Sequence, residues 1–349
     1  AGSVMPVLGG STRALFSGAR WGEPVDPVSQ RMTITYSFGE RSTSRNLSAY
    51  AAPFLPSMQA FTAVDRDVTR AILAKIAEVA NIRFVEVDES QGAVGQIRYA
   101  YSQQPNALGY AGYSFYPLPI DVGGDVFIGT AQMGPEWDYY RPGLILHETM
   151  HALGLKHPFE GGETLPSDQN VITNTTLSYS TIAGYTAGSI SEYPVEPMPL
   201  DVQALQELYG AADANLGNTR YDLSDPSYQQ GFRVIYDTSG TDTLDASRAP
   251  NPVLLDLRAG FGSDVGDAIT AFARNTSGAT TVWNSTTYNH TLVIAGGVAI
   301  ENATGSALDD FLLGNDLDNT LDGGAGNDIL VGGRGNDTLI GGAGVDVVV

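Results

Sequence analysis

Three of the chain's four histidines fall between residues 147 and 157, in the run His147-Glu148-Thr149-Met150-His151-Ala152-Leu153-Gly154-Leu155-Lys156-His157. His147 and His151 stand at i and i+4, so on a helix both imidazoles leave the same face and can meet one metal ion. Gly154 allows a sharp turn, and His157 then returns as a third ligand. Three protein ligands leave a fourth position open, which is the arrangement of a catalytic zinc site rather than a structural one. Glu148, beside the first ligand, is placed to hold and deprotonate a water on the metal. The chain has no cysteine, so zinc here must rest on histidine and carboxylate. An HExxH pair alone is weak evidence; the full HExxHxxGxxH is far more specific. His290 stands apart and reads as an ordinary surface or satisfied core histidine.

A helix over 142–153 should carry the first two ligands. Pro142 suits its first turn, where no amide donor is needed, and Gly154 suits the residue just past its end. Leu146, Met150 and Leu153 give it an apolar stripe. A helix over 65–79 is expected from Ile72, Ile76 and Val79, and another over 201–209, capped by Asp201 and stopped by Gly210. Strands are expected at 32–38, 82–87, 95–101, 108–116 and 124–128 from their apolar alternation and β-branched or aromatic content. Helices and strands therefore mix up to about residue 212. Beyond 215 no amphipathic helix is evident, and short runs such as Val253-Leu254-Leu255-Asp256-Leu257 alternate with Gly, Asp and Asn turns.

The last 45 residues form a repeat of nine: GSALDDFLL (305–313), GNDLDNTLD (314–322), GGAGNDILV (323–331), GGRGNDTLI (332–340) and GGAGVDVVV (341–349). Position six is Asp except at Asn319, and position eight is always Leu or Val. An apolar eighth position on this period describes a coil of short strands, with one inward layer per turn. Glycines let the turn backbone aim carbonyls at the next turn, together with the Asp carboxylate. All-oxygen ligation of that kind suits Ca²⁺, and stacked carboxylates would repel without it, so calcium and folding should be coupled. A Gly/Asp linker of low complexity would not keep five units in register.

Composition narrows the options. The balance of 39 acidic to 18 basic residues, net −21, excludes phosphate backbones as partners. No apolar run is long enough for a membrane span. Residues 1–4 lack the basic-then-apolar pattern of a signal peptide, so any leader has been removed or export uses another route.

The extended zinc motif is the metzincin signature and the nonapeptides resemble those of RTX proteins. Together, and with Pro158 following, they resemble the serralysin family of bacterial metalloproteases. Thr35-Tyr36-Ser37-Phe38, Ala80-Asn81-Ile82-Arg83-Phe84, Gly95-Gln96-Ile97-Arg98, Leu208-Tyr209-Gly210, Tyr236-Asp237-Thr238-Ser239-Gly240-Thr241-Asp242 and Ser263-Asp264-Val265-Gly266 look like family segments too. The resemblance implies an α+β, metzincin-like zinc protease domain at 1–212 and an all-β parallel β-roll at 213–349. It implies one catalytic Zn²⁺, several structural Ca²⁺, and hydrolysis of extracellular proteins or peptides. It also implies export from a bacterium by a type I route. A monomer, and a proteinaceous inhibitor as a further partner, complete the expectation.

Site residues follow by the same resemblance. The family's turn beneath the zinc, normally containing Met, matches Thr176-Leu177-Ser178-Tyr179, with Leu177 in the Met position. A Leu/Met exchange typically costs under about 1.5 kcal/mol, so the apolar floor can persist. Tyr179 takes the switch role, ligating zinc at rest and hydrogen-bonding the oxyanion during catalysis. Calcium lies between turns two repeats apart. One ion would use Ser306, Leu308, Asp310, Gly323, Ala325 and Asp328; a second Asn315, Leu317, Asn319, Gly332, Arg334 and Asp337; a third Gly324, Gly326, Asp328, Gly341, Ala343 and Asp346. Asn319 departs from the pattern, as do Leu308 and Leu317 where Gly is usual. Family substrates lie antiparallel to an edge strand, here Tyr110-Ala111-Gly112-Tyr113-Ser114-Phe115-Tyr116, whose aromatics equally suit sheet packing. Serralysins continue past the repeats to an export signal, and Asp346-Val347-Val348-Val349 has the acid-then-aliphatic ending of such signals; trimming is the other reading of this end. Two other readings are a non-catalytic calcium-binding surface or adhesion protein with a vestigial zinc site, and a zinc protease of another metzincin branch. An intact motif and the nonapeptides argue against them.

Overall fold

Seven residues from Met32 to Phe38 alternate apolar and polar and form the first strand, β1, whose amide at Met32 is bonded to Asn81 O. The computed structural model describes residues 11–22, 28–40, 42, 52–277 and 280–349; residues 1–4, considered above for a leader, lie outside these. Two compact units emerge, Gly10–Ser178 with Val195–Ala212, and Tyr179–Pro194 with Asp213–Val349.

The N-terminal unit mixes helices and strands. In chain order it contains β1, α1 (Ala63–Val79), β2 (Ile82–Glu86), β3 (Ile97–Ser102), the short α2 (Gln104–Ala107), β4 (Gly112–Ser114), β5 (Val126–Gly129), α3 (Arg141–Ala152) and, after an excursion into the other unit, α4 (Pro199–Tyr209). Its sheet runs β2-β1-β3-β5-β4. The first four of these strands are parallel and β4 is an antiparallel edge. Thr62 caps α1, accepting from the Asp65 amide, and Ile72, Leu73, Ile76 and Val79 bury its apolar face.

Several expected elements shift by one or two residues, and two differences have a readable cause. The strand expected over 108–116 is confined to Gly112–Ser114. The Leu108 amide instead closes α2 onto Gln104 O, and Gly109 adopts φ 85°, which ends one element before the next begins. Helix α4 starts at Pro199, two residues before the expected cap. Asp201 is the third helical residue and accepts the Met198 amide from inside the helix, the reach-back half of a capping box.

Among the described residues the C-terminal unit is built of strands, with one helical turn at Pro226–Gln229. Residues 179–194 group with it because β6 (Ala187–Ile190) pairs antiparallel with β12 (Ile269–Ser277), itself hairpinned to β13 (Thr280–Tyr288). That excursion departs from a single division at residue 212. Between them lie β7 (Arg220–Asp222), β8 (Arg233–Ile235), β9 (Thr243–Asp245), β10 (Leu254–Asp256) and β11 (Gly262–Ser263); β14 (Leu292–Ile294) and β15 (Asn302–Thr304) follow. The repeats supply β16 (Phe311–Leu313), β17 (Thr320–Asp322), β18 (Ile329–Val331), β19 (Thr338–Ile340) and β20 (Val347–Val348).

These last strands alternate between two parallel sheets, β10-β16-β18-β20 and β19-β17-β15-β9-β7. Phe311 pairs with Ile329, and Thr320 with Thr338, so neighbouring repeat strands in a sheet lie two nonapeptides apart along the chain. One turn of the β-roll is therefore two repeats. The eighth-position residues Leu312, Leu321 and Leu330 are fully buried in one core with Leu244, Leu255 and Ala303. A buried leucine contributes about 1.5–3 kcal/mol, so the array gains its stability layer by layer.

Candidate metal centre

Helix α3 is anchored before its first histidine. Arg141 is buried, and its guanidinium donates to both oxygens of Asp65 on α1 at 2.8–3.0 Å and to Gln132 O at 3.0 Å. At the other end Gly154 has φ 101°, and a Cβ there would lie 2.1 Å from Ala19 O. No other residue type fits that turn without displacing backbone. The chain then comes back at Lys156, whose amide donates to Leu15 O at 2.7 Å, and this places His157 opposite α3.

The three Nε2 atoms converge. His147 and His157 are 3.1 Å apart at these nitrogens, His151 and His147 3.2 Å, and His151 and His157 3.1 Å. A tetrahedral zinc with bonds of about 2.0–2.1 Å needs nitrogens about 3.3–3.4 Å apart, so the triangle fits such an ion with little adjustment. Acceptors behind the rings set their orientation. Nδ1 of His147 lies 2.8 Å from Thr176 O, and Nδ1 of His151 lies 2.7 Å from Leu155 O. With the proton on Nδ1, each Nε2 lone pair faces the common point. Nδ1 of His157 lies 2.8 Å from Glu160 Oε1, and its ring stacks on Phe159. Burial, with the neighbouring His157 ring, lowers His147 to about 3. Burial and the adjoining rings also hold His151 well below its usual value, and burial lowers His157. All three rings are thus neutral near pH 7, the state a metal requires.

A second layer supports the first. The Thr176 amide donates to Asp201 Oδ2 at 2.8 Å, and the Thr175 hydroxyl donates to Asp201 Oδ1 at 2.6 Å. Asp201, completely buried on α4, thereby holds the residue whose carbonyl orients His147. Burial raises the Asp201 pKa against these donors. Leu177, in the position where Met was expected, is fully buried in the same turn. Tyr179 follows two residues later as the first residue of the excursion into the other unit, and 48% of it is exposed.

Glu148 is 5% exposed, and burial raises its carboxyl to about 7 against the opposing effect of its Ser114 hydrogen bond. The Ser114 hydroxyl donates to Oε2 at 2.6 Å. A Cβ on Gly112 would lie 2.6 Å from Oε1. Tyr116 sets its ring edge-on to His151, with centroids 5.9 Å apart. Gly112 and Ser114 share one face of the edge strand by its two-residue period, and Tyr116 follows just past its end. None of these roles, nor that of Asp201, followed from the sequence; the alternation at 112 and 114 gains meaning only once β4 is known to lie against α3.

In the roll, position-six residues two repeats apart adjoin. The amides of Asp310, Asn319 and Asp328 donate to Oδ1 of Asp328, Asp337 and Asp346 at 2.8, 2.9 and 3.0 Å. Gly324, Gly326, Gly333, Gly335, Gly342 and Gly344 pass so near the carbonyls of Ser306, Leu308, Asn315, Leu317, Gly324 and Gly326 that a Cβ would come within 1.7–2.7 Å. Turns two repeats apart thus approach closely, with backbone carbonyls between them. Oδ2 of Asp328 is buried with no hydrogen-bond partner, and burial and nearby carboxylates raise this group's pKa. An orphaned buried carboxylate oxygen amid carbonyls fits a hard cation. Asn319 is different. Its Oδ1 accepts the Asn315 amide, and its Nδ2 donates to Glu301 O and Asn315 Oδ1. Arg334 is exposed, 3.8 Å from Asp316. His290 contacts Asp264 and sits far along the chain from the other histidines.

Residues 304–348 match four copies of the RTX calcium-binding nonapeptide repeat. Metallopeptidase AprA of Pseudomonas marginalis is 28% identical over 82% of this chain and 60% of its own length. Serralysin of Proteus mirabilis is 29% identical over 82% of this chain and 60% of its own length. Serralysin B of Dickeya chrysanthemi is 32% identical over 72% of this chain and 54% of its own length. The chain spans a little over half the length of these relatives. Over most of its own length it is similar to the serralysins, and it carries RTX calcium-binding repeats at its C-terminal end.

Proposed function

We propose that the chain is a secreted zinc endopeptidase of metzincin-like fold, with the catalytic centre in the N-terminal unit and a calcium-stapled roll in the other. The observation that carries this reading is the triangle of Nε2 atoms at 3.1–3.2 Å with Glu148 beside it. His147, His151 and His157 would hold the zinc. When bound, zinc supplies Lewis acidity, polarising the scissile carbonyl and lowering the pKa of water at the open position to about 7.

Glu148 takes a proton from the attacking water and passes it to the leaving amine nitrogen. Its burial suits that double task, because a carboxyl near pH 7 can both accept and donate. Tyr179 donates its phenol to the developing oxyanion, a role resting on its place two residues after Leu177. The substrate pairs as an extended strand with the edge β4, which supports hydrolysis of proteins and peptides. In the roll, the ligand sets would be those of Asp310 with Asp328, Asn319 with Asp337, and Asp328 with Asp346. Calcium there stands in for the disulfides that a chain without cysteine cannot make. Among the described residues no helix is long and apolar enough to cross a membrane.

A non-catalytic RTX surface protein would have no need to keep Glu148 or to orient two imidazoles on backbone carbonyls. Casein hydrolysis separates the readings. The zinc-loaded protein should cleave casein, lose activity to a zinc chelator and regain it with zinc. Glu148→Ala should keep the zinc and lose at least about 10²-fold in turnover. Tyr179→Phe should lower turnover far more than zinc content. Cleavage that survives zinc removal would overturn the proposal, and full turnover in Glu148→Ala would remove that residue as the base.

A further inference from the structure

We infer that Ser114 is a positioning residue for Glu148, acting with the missing side chain of Gly112 to fix the carboxylate in one orientation. The inference deepens the peptidase reading above and rests on it. Glu148 lies almost fully inside the protein, and among the described residues Ser114 is the hydrogen-bond partner of its carboxylate. The bond is short, 2.6 Å, and engages Oε2 alone. Oε1 is left for proton transfer.

Gly112 forms the other side of the cradle. A Cβ at this position would meet Oε1 at 2.6 Å, Cγ at 2.8 Å and Cδ at 2.9 Å. All three contacts are shorter than real carbon neighbours tolerate, so the carboxylate occupies the space a side chain would fill. Gly112 is buried and its φ is not in the left-handed region. Its glycine is therefore explained by close approach and not by backbone conformation. Both residues lie on β4, in hydrogen-bonded register with β5 at Ile128 and Val126. The strand that forms the sheet edge thus also carries the two features that hold the general base.

The terminal torsion of a glutamate is broad and roughly two-fold. Without the hydroxyl the carboxylate would turn, and Oε1 would spend much of its time misaligned with the proton it must take. A displacement of about 1 Å at a reacting group can cost about 10²-fold. The zinc ligands make no use of Ser114: the His147 and His151 rings face Thr176 O and Leu155 O, and His157 lies beside Glu160. Loss of the hydroxyl should therefore separate turnover from metal content.

The test compares Ser114→Ala, Ser114→Thr and Gly112→Ala in the full chain. It measures kcat and KM on a peptide substrate, zinc per chain, and the Glu148 conformation in zinc-free crystals. Ser114→Ala should lower kcat by roughly 10- to 100-fold, with KM within about twofold and zinc unchanged. Ser114→Thr should restore kcat to within about threefold, because it keeps the hydroxyl. Gly112→Ala should lower kcat at full zinc content. In crystals, Glu148 should turn in the two alanine variants and stay in place in Ser114→Thr. An unchanged kcat in Ser114→Ala, a parallel loss of zinc, or a Glu148 that stays put would overturn the inference. If the parent protein cleaves no peptide, the peptidase reading fails, and the crystals still decide whether Ser114 holds Glu148.

Discussion

In the N-terminal unit, two of the liganding rings have backbone acceptors behind them at 2.7–2.8 Å; in the roll, Oδ2 of Asp328 is buried with no partner at all. In the first site two of the three rings are oriented by backbone carbonyls before any ion arrives. Its neutral rings repel little, and the turn beneath them is tied to Asp201. The second places carboxylates two repeats apart in stacked turns, so its charges need an ion to stay together. On the proposed function, one protein would hold metal in two ways: at a site the fold makes in advance, and in a roll that the ion would complete.

Three substitutions would break or sharpen this contrast. The largest effect is expected from Asp328→Ala, because Asp328 serves two of the three expected calcium ions. The calcium midpoint for roll formation, followed by circular dichroism, should rise roughly tenfold or more while zinc binding stays normal. An unchanged midpoint would mean that the orphaned carboxylate is not a ligand. Asp201→Asn should come next. It exchanges one acceptor oxygen for a donor against the Thr175 hydroxyl and the Thr176 and Met198 amides. Zinc affinity, measured by competition with a chromogenic chelator, should fall about 10- to 100-fold, the usual cost of second-layer changes. Equal affinity would show that His147 needs no support from that turn. The smallest effect belongs to Asn319→Asp. The present amide satisfies itself with Asn315 and Glu301, so a carboxylate should add affinity at one turn. Calorimetry would detect a tighter or additional calcium ion, and an unchanged isotherm would contradict the role assigned to Asn319.

The features legible in the sequence were the local and periodic ones. The i, i+4 histidines, the Pro142 start and the Gly154 end outline α3 because helix chemistry operates within a few residues. The nine-residue period places Leu312, Leu321 and Leu330 inside because each repeat poses the same packing problem. What escaped depends on contacts between distant segments. Ser114 meets Glu148 across 34 residues, and Asp201 meets Thr176 across 25, without any period to announce them. The excursion of 179–194 onto β12 is of the same kind, since an edge pairing between segments about 80 residues apart leaves no local trace. The overlong strand at 108–116 arose because aromatic content favoured a strand throughout, while backbone bonds of Leu108 and Tyr110 to Gln104 and Pro105 had already committed its first part to the end of α2.

The contrast between the two metal regions is tested most directly by hydrogen exchange on the protein stripped of both ions. Mass spectrometry should find the α3 amides at 145–152 still protected. The strands from 311 to 348 should exchange rapidly, and calcium alone should restore their protection. A roll that stays protected without calcium, or an α3 that loses protection without zinc, would contradict the account.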